Sequence, residues 1–244
     1  MANTEQDPYA PPQYDSVPIN AKYRHMDYEI IQPNSVLRAC SRKQLQGVWL
    51  QMAMAFLVFY LIIFPPSIIF SALGLFYNQA ISSLFSIAIS IVAGPFALGF
   101  AGYFIKRIRD EDISIGNIFS GFKRFIPSVL LMFFMYLFIC LWSFLLVIPG
   151  IIKAFSYSMA FFIMYDDPGI KPLEALRKSQ KMMKGYKGKL FILFLSFLGW
   201  SVLTAFTMGI GYLWLAPYIY LSIANFYENL KISQEKELGE NAES

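Results

Sequence analysis

The sequence predicts an all-α, polytopic integral membrane protein with six transmembrane helices arranged as three hairpins. Of its 244 residues, 57% are hydrophobic and only 15% are charged, whereas a soluble domain carries about 25% charged residues. Asp, Glu, Lys and Arg are absent from 44–105, 125–152 and 190–227. Because one span needs about 20 mostly apolar residues, the first and third blocks have room for two crossings, and the second has room for two once the apolar run is followed past Lys153 to 165.

The distribution of positive charge predicts the orientation of the spans. Nineteen of the 20 Lys and Arg residues lie in 1–47, 106–125, 166–189 and 228–244. Lys and Arg collect on the cytoplasmic side of membranes, so both termini are expected in the cytoplasm. Basic clusters also occur in nucleic-acid-binding proteins. Here they lie beside spans, where anionic lipid headgroups are the nearer partners, and no nucleic-acid partner is expected.

The six spans are predicted as 48–64 with 84–105, 125–145 with 149–165, and 190–207 with 209–227. An uncharged connection containing Pro65 and Pro66 joins the first pair and has room for a short helix on the outer face. The second span of each pair contains a proline (Pro95, Pro149 or Pro217), which predicts a kink or turn, because proline frees a backbone carbonyl within a helix.

A short basic amphipathic helix is expected before each hairpin, at 36–46, at 115–125 and after Pro172, where apolar residues recur at helical spacing. Such helices lie in the inner headgroup layer and attract anionic lipid. The side chains expected to contact anionic lipid are Arg38, Arg42, Lys43, Lys123, Arg124, Arg177, Lys178, Lys181 and Lys184.

This pattern divides the chain into a disordered cytoplasmic tail (1–33), a membrane domain (34–231) and an acidic disordered tail (232–244). Within the membrane domain, the recurrence of helix and hairpin suggests a triplicated repeat over 36–112, 115–168 and 172–231. Pro11-Pro12-Gln13-Tyr14 in the first tail fits the proline-rich ligands of WW-type domains. Short matches of this kind also arise by chance in tails rich in Pro and Tyr.

Several stretches resemble a known bacterial membrane family, catalogued as domain of unknown function nine-seven-five. They are 117–125 (NIFSGFKRF), 141–168 (LWSFLLVIPGIIKAFSYSMAFFIMYDDP), 175–191 (ALRKSQKMMKGYKGKLF), 195–200 (LSFLGW) and 209–230 (GIGYLWLAPYIYLSIANFYENL). The resemblance covers about 36–230 and implies a multi-pass protein of the bacterial cytoplasmic membrane. It implies no activity, because none is established for the family.

Lys153 is the one charged residue inside a predicted span, and intramembrane charges often mark function. It is also close enough to the outer end of its span for the ammonium group to reach the interface. Ser156 and Tyr157 share its helical face at i+3 and i+4, and a lysine beside a serine can form a nucleophilic dyad. However, a serine in a span usually hydrogen-bonds its own helix.

No other constellation favours catalysis or a cofactor, and the chain is not expected to be an enzyme. Asp166-Asp167 and the run Asp110-Glu111-Asp112 are interpreted as solvated helix ends rather than as ligands of a hard cation. The single histidine, His25, lies in the tail, so no metal site is expected. Cys40 and Cys140 are expected on different levels of the membrane, too far apart for a disulfide.

Two functions from different classes remain open. The first is the handling of lipids or amphiphiles, supported by the hairpin arrangement and the basic inner rim. The second is a non-transporting accessory, stress-tolerance or immunity protein that acts through a membrane-protein partner or as a homo-oligomer. Proton-coupled transport is disfavoured, because such transporters use carboxylates within the membrane and the predicted spans contain none.

Overall fold

The computed structural model describes residues 33–76, 79–207 and 209–243, and every regular element in these ranges is helical. In chain order the elements are α1 (Asn34–Leu45), α2 (Trp49–Phe76), α3 (Gln79–Ile108), a 3₁₀ helix (Ile115–Arg124), α4 (Phe125–Leu145), α5 (Val147–Tyr157), α6 (Ala160–Asp166), α7 (Pro172–Met182), α8 (Lys187–Ala205) and α9 (Tyr212–Glu243). The predicted disordered tail covers 1–33, of which only residue 33 is described. The prediction for Pro11–Tyr14 therefore lies outside the described residues.

Five segments of the described chain are long and apolar enough to cross a membrane. They are Trp49–Ala72, Ser82–Ile108, Ile115–Leu145, Val147–Asp166 and Lys187–Ala205, and they coincide with five of the six predicted spans. Helix α9 is not among them. Its first 18 residues include four tyrosines, two asparagines and Glu228, which lower its apolar character. The all-helical class and its apolar spans are therefore established, whereas the sixth span remains a prediction.

The first hairpin is longer than predicted. The sequence predicts that the first span ends at 64 and that a connection follows, but α2 continues through Pro65 and Pro66 to Phe76, and α3 begins at Gln79. The two prolines remove two backbone donors without ending the helix. The run around them is uniformly apolar, and in lipid a helix is the state that pairs backbone groups internally.

The second hairpin turns between 145 and 149, as the sequence predicts, but its second span has a further break that the sequence does not signal. Leu146, in extended conformation (φ −161°, ψ 141°), joins α4 to α5, and Pro149 lies in the first turn of α5, where a missing N–H breaks no helical bond. Pro149 therefore marks the turn, and no kink is centred on it. The span is interrupted ten residues later, at Ser158 and Met159, between α5 and α6.

A buried serine from α7 fills this break. The hydroxyl of Ser179 donates to the carbonyl of Ser156 at 2.8 Å and accepts from the backbone N–H of Met159 at 3.2 Å. Ser179 is fully buried, so it supplies hydrogen bonds that water cannot supply there. The helix after Pro172 is therefore packed against the second hairpin on one side, with its cations on the other.

Each helix that precedes a hairpin packs against the second span of another hairpin. The 3₁₀ helix lies on α3, α7 lies on α6, and α1 lies on α9. Helix α3 also contacts both α6 and α9, so it lies at the centre of the described helices. The contact between α1 and α9 joins the two ends of the described chain. The triplicated repeat itself remains a prediction.

Glycine permits the closest of these contacts. A Cβ atom at Gly121 in the 3₁₀ helix would overlap the carbonyl oxygen of Pro95, and one at Gly99 of α3 would overlap the carbonyl oxygen of Ile118. The two backbones therefore lie in direct contact, which larger residues would prevent. This packing holds the 3₁₀ helix along the middle of α3, beside Pro95.

Helix α9 extends further at its C-terminal end than the sequence predicts. It continues to Glu243, although the sequence predicts an unstructured tail from 232. The segment is rich in Glu, Lys, Gln and Leu, which favour helix once a preceding turn exists. Near its start, Trp49 Nε1 of α2 donates to the carbonyl of Trp214 at 3.1 Å. The first turn of α9 therefore lies beside the first turn of α2.

Candidate functional site

A cavity of about 640 Å³ opens between α2 and the α8–α9 hairpin. Apolar side chains line most of it: Leu57, Leu61 and Phe64 from α2, and Ala205, Ile210 and Leu213 from the hairpin. We call this cavity the lateral groove, because it lies between the first and third hairpins. These hairpins meet through packed helices with no direct chain connection, so the groove follows a seam between units.

The polar groups of the lateral groove are few, and two are already paired within α8. Ser201 and Thr204 donate to the carbonyls of Phe197 and Ser201, at 3.0 and 2.7 Å. The hydroxyls of Tyr60 and Tyr212 also belong to its lining. A mostly apolar cavity with a few polar groups suits an apolar chain that carries a polar end.

An aromatic pair lies next to the groove. Ser201 is one helical turn from Phe197, whose ring packs edge-on against Tyr218 of α9 with centroids 5.0 Å apart. The guanidinium of Arg42, from α1, is close enough to the Tyr218 hydroxyl to interact with it electrostatically. Phe197 and Tyr218 therefore lie between the groove and the basic side of α1.

A buried polar cluster fixes α1 against α9. Asn225 Nδ2 donates to the hydroxyl of Ser41 at 2.9 Å and to Gln44 Oε1 at 2.8 Å, and Ser222 donates to Ser41 at 3.1 Å. Ser41, Ser222 and Asn225 are fully buried. Interhelical bonds of this kind specify how helices meet. Helix α1 is therefore docked on α9 through its Leu37, Ser41 and Leu45 side.

A second polar cluster joins α3, α6 and α9. Arg109, just after α3, donates from Nε to Glu228 Oε1 of α9 at 2.9 Å and from Nη2 to Asp166 Oδ2 of α6 at 2.9 Å. Asp166 also accepts from Lys231 Nζ at 2.6 Å and from the Tyr227 hydroxyl at 3.0 Å. The cluster carries two positive and two negative charges, so the attraction within it is mutual.

This cluster replaces the interpretation of Asp166 as the solvated end of a helix. The side chains of Asp166 and Glu228 are only 11% and 10% exposed. Burial raises the pKa of Glu228 above its usual value, and the nearby Arg109 opposes that shift. Lys and Arg pair with these acids in the described chain, and no group of three or more metal-ligating side chains occurs there. The arrangement is an ionic lock between α3, α6 and α9.

Lys153 lies against aromatic rings. Its Nζ is 4.8 Å from the ring centroid of Trp142 and 5.9 Å from that of Tyr157, which is within cation–π range. Ser156 is fully buried and donates to the carbonyl of Ile152 at 2.7 Å. The serine hydroxyl is thus engaged with its own helix, and the three residues do not form a Lys–Ser hydrogen bond in the described structure.

The predicted lipid-contact cations divide into two groups. Arg124 is turned inward and donates to the carbonyls of Met164 at 2.6 Å and Ile170 at 3.5 Å, so it ties the 3₁₀ helix to the end of α6. The remaining seven, together with half-buried Arg38, lie on the outer faces of their helices: Arg42, Lys43, Lys123, Arg177, Lys178, Lys181 and Lys184 are exposed.

The sequence did not reveal the groove, the ionic lock or the docking of α1. Glu228 and Lys231 follow the last apolar block at i and i+3, a spacing that places both on one helix face. This spacing is the one feature of the sequence that indicates the ionic lock. Asn225 bonds across helices to Ser41 and Gln44, as a polar side chain within an apolar helix commonly does. The groove depends on how hairpins meet, which spacing along one helix cannot show.

An all-helical protein with five membrane-length apolar helices and a lateral apolar groove belongs to the class of polytopic membrane proteins. The chain belongs to the family described as Protein of unknown function (DUF975), whose model matches residues 26–154 and 144–234. Searches of curated proteins and of solved structures found no match. The family fits the resemblance seen in the sequence and brings no activity with it.

Proposed function

We propose that this protein handles lipids or amphiphiles in the bacterial cytoplasmic membrane by binding an apolar chain in the lateral groove. The observation that carries the proposal is the groove itself, about 640 Å³ with a mostly apolar lining. In a membrane, the molecules that reach such a groove from the side are lipids and other amphiphiles. The proposal assigns no catalysis, since Ser156 is buried and engaged with Ile152.

Binding is tested with a groove-filling variant. Ala205 lines the groove, so Ala205→Phe is expected to occupy it and lower the fraction of bound fluorescent lipid in purified protein. The matched control is Val202→Phe on the same helix, whose side chain is 54% exposed and does not line the groove. Equal lipid binding by both variants and the unaltered protein would contradict the proposal.

Movement of lipid is a separate measurement. In liposomes containing the protein, transfer of fluorescent lipid between leaflets is expected to exceed that in empty vesicles, and Ala205→Phe is expected to remove the excess. Binding without transfer would assign the protein to lipid storage or sensing. Absence of both would favour the accessory role through a protein partner.

We further propose six spans with both termini in the cytoplasm, α9 being the sixth, and three basic helices on the inner face. The charge distribution supports this, because every basic segment then lies inside. This topology puts the first turns of α2 and α9 at opposite faces of the membrane, whereas a hydrogen bond joins Trp49 to the carbonyl of Trp214, so the side on which Thr207 lies decides whether α9 spans. In a background lacking Cys40 and Cys140, a cysteine at Thr207 is expected to react with an impermeant reagent from outside. Labelling only from inside would make the α8–α9 hairpin re-entrant.

A further inference from the structure

Three residues of α1 lie on the flank of the helix that adjoins its buried polar side. Asn34, Arg38 and Arg42 are spaced at i, i+4 and i+8, so they form a line along one side of the helix. Asn34 Nδ2 donates to the carbonyl of Lys189 in the first turn of α8 at 2.9 Å. Arg42 and Arg38 both lie within electrostatic range of the Tyr218 hydroxyl. The line therefore borders both α8 and α9.

Two buried atoms on this line have no hydrogen-bond partner among the described residues. They are Nε of Arg38, a charged donor, and Oδ1 of Asn34, an acceptor. Buried polar atoms in folded proteins are nearly always paired. A donor and an acceptor left open one turn apart on the same face indicate a ligand that accepts at one point and donates at the other.

The charge of the region selects an anion. Residues 34–47 contain no acidic side chain, and Lys106, Arg107, Arg109 and Lys231 form ion pairs in the described chain. Neither Arg38 nor Arg42 belongs to them. A guanidinium binds phosphate through paired N–H groups with matching geometry. A phosphate at Arg38 and Arg42 would leave room for a ligand hydroxyl to donate to Asn34.

We propose that the Asn34–Arg38–Arg42 face binds the headgroup of an anionic phospholipid that carries a hydroxyl, such as phosphatidylglycerol, while one acyl chain enters the lateral groove. This inference rests on the proposed function of the groove. The path between the two sites is short: Tyr218 packs against Phe197 and lies within electrostatic range of Arg42, and Ser201 of the groove is one turn beyond Phe197. The groove and the face together define the substrate class.

The test compares two lipids with the same acyl chains, phosphatidylglycerol and phosphatidylcholine, each spin-labelled on a chain and added to the purified full-length protein. The unaltered protein is expected to immobilise more phosphatidylglycerol. Arg38→Gln with Arg42→Gln is expected to lower the affinity for it by roughly tenfold, given the strength of charge-assisted hydrogen bonds. The matched control, Lys181→Gln with Lys184→Gln, removes the same charge from an exposed part of α7 and is expected to keep the preference.

Each outcome decides a different point. An equal loss in both double variants would overturn the site, because general surface charge would then explain the preference. Retention of the preference in the arginine variant would overturn it as well. If Ala205→Phe leaves both lipids bound as before, the groove proposal fails instead. Each variant must elute normally on size exclusion. The double variant Arg38→Lys with Arg42→Lys keeps the charge but loses the paired N–H donors of the guanidinium, and it is expected to bind phosphatidylglycerol with intermediate affinity.

Two further experiments identify the headgroup and its source. Asn34→Ala is expected to weaken the binding of phosphatidylglycerol but not that of phosphatidic acid, which lacks the glycerol hydroxyls of the headgroup. An equal effect on both would contradict the role of Asn34. Inorganic phosphate is expected not to displace the spin-labelled lipid, because it lacks the chain. Displacement by phosphate alone would make this a site for free phosphate and would overturn the lipid assignment.

Discussion

Arg109 donates two hydrogen bonds to Glu228, from Nε at 2.9 Å and from Nη2 to the same carboxylate oxygen, and so joins the end of α3 to α9. Asp166 lies on the other side of the same guanidinium. Removal of Arg109 would leave two buried acids with Lys231 as their remaining positive partner. We therefore expect Arg109→Gln to lower the free energy of unfolding by about 1–3 kcal/mol, measured as thermal unfolding in detergent.

Replacement of Glu228, the acid bonded to Arg109, is expected to affect stability differently from replacement of Arg109. Because burial raises the pKa of Glu228, the folded state binds a proton more readily than the unfolded state. Its contribution to stability therefore increases as the pH falls through the folded pKa and is lost as the pH rises. Glutamine resembles the protonated form, so Glu228→Gln is expected to match or exceed the unaltered melting temperature at neutral pH. A loss as large as that of Arg109→Gln would show that ionised Glu228 is the favoured form.

The serine that fills the break in the second hairpin gives a separate prediction. Ser179→Ala removes the partner of both Ser156 O and Met159 N in a buried site, and leaving buried backbone groups unpaired costs about 1–3 kcal/mol. Ser158→Ala is the control, because its hydroxyl only bonds Phe155 of its own helix. Thermal unfolding in detergent should separate the two, and equal midpoints would contradict the role of Ser179.

The contact between α3 and the 3₁₀ helix predicts an intolerance of side chains at Gly121. In Gly121→Ala the new methyl group would collide with the backbone of Pro95, and we expect poor recovery of folded protein on size exclusion. Gly199 lies inside α8 with open space where a Cβ would be. Gly199→Ala is expected to keep stability or raise it by up to about 1 kcal/mol, so a loss at both positions would point to another cause.

Lys153 is predicted to be dispensable for lipid binding. Its ammonium lies against Trp142, and a cation–π contact of this kind contributes about 0.5–1 kcal/mol at an exposed site. Lys153→Met is expected to reduce stability by no more than that and to bind phosphatidylglycerol as the unaltered protein does. A selective loss of lipid binding would restore the interpretation of Lys153 as a functional intramembrane charge.

The apolar blocks and the positions of Lys and Arg predicted the helices well. Both patterns reflect the free energy of placing one segment at a time in the membrane, which does not depend on the other segments. Helices lie at all three positions where a basic helix was expected. The break at Ser158 and Met159 was not predictable, since it depends on Ser179 reaching across from another helix. Likewise, Pro65 and Pro66 indicated a connection, but the uniformly apolar run kept α2 helical.

For the candidate site, the sequence identified Arg38 and Arg42 as basic residues of a lipid-facing helix, without distinguishing them from seven others. What sets them apart is tertiary: the closeness of Arg42 to Tyr218, and burial of Arg38 Nε without a partner. Asp166 was interpreted alone, because its partners Arg109 and Lys231 are 57 and 65 residues distant. Interactions over such separations leave no local pattern.

The docking of α1 on α9 has a consequence for biogenesis. Ser41 and Asn225 are 184 positions apart, so α1 reaches its place only after almost the entire chain has been synthesised and inserted. Contacts of such separation form late. Until then the first helix has no permanent neighbour, and the wall that α9 gives to the groove is missing. If the proposed function holds, a chain truncated before α9 is expected to bind no lipid in the groove, and the last helix is the one that completes the binding site.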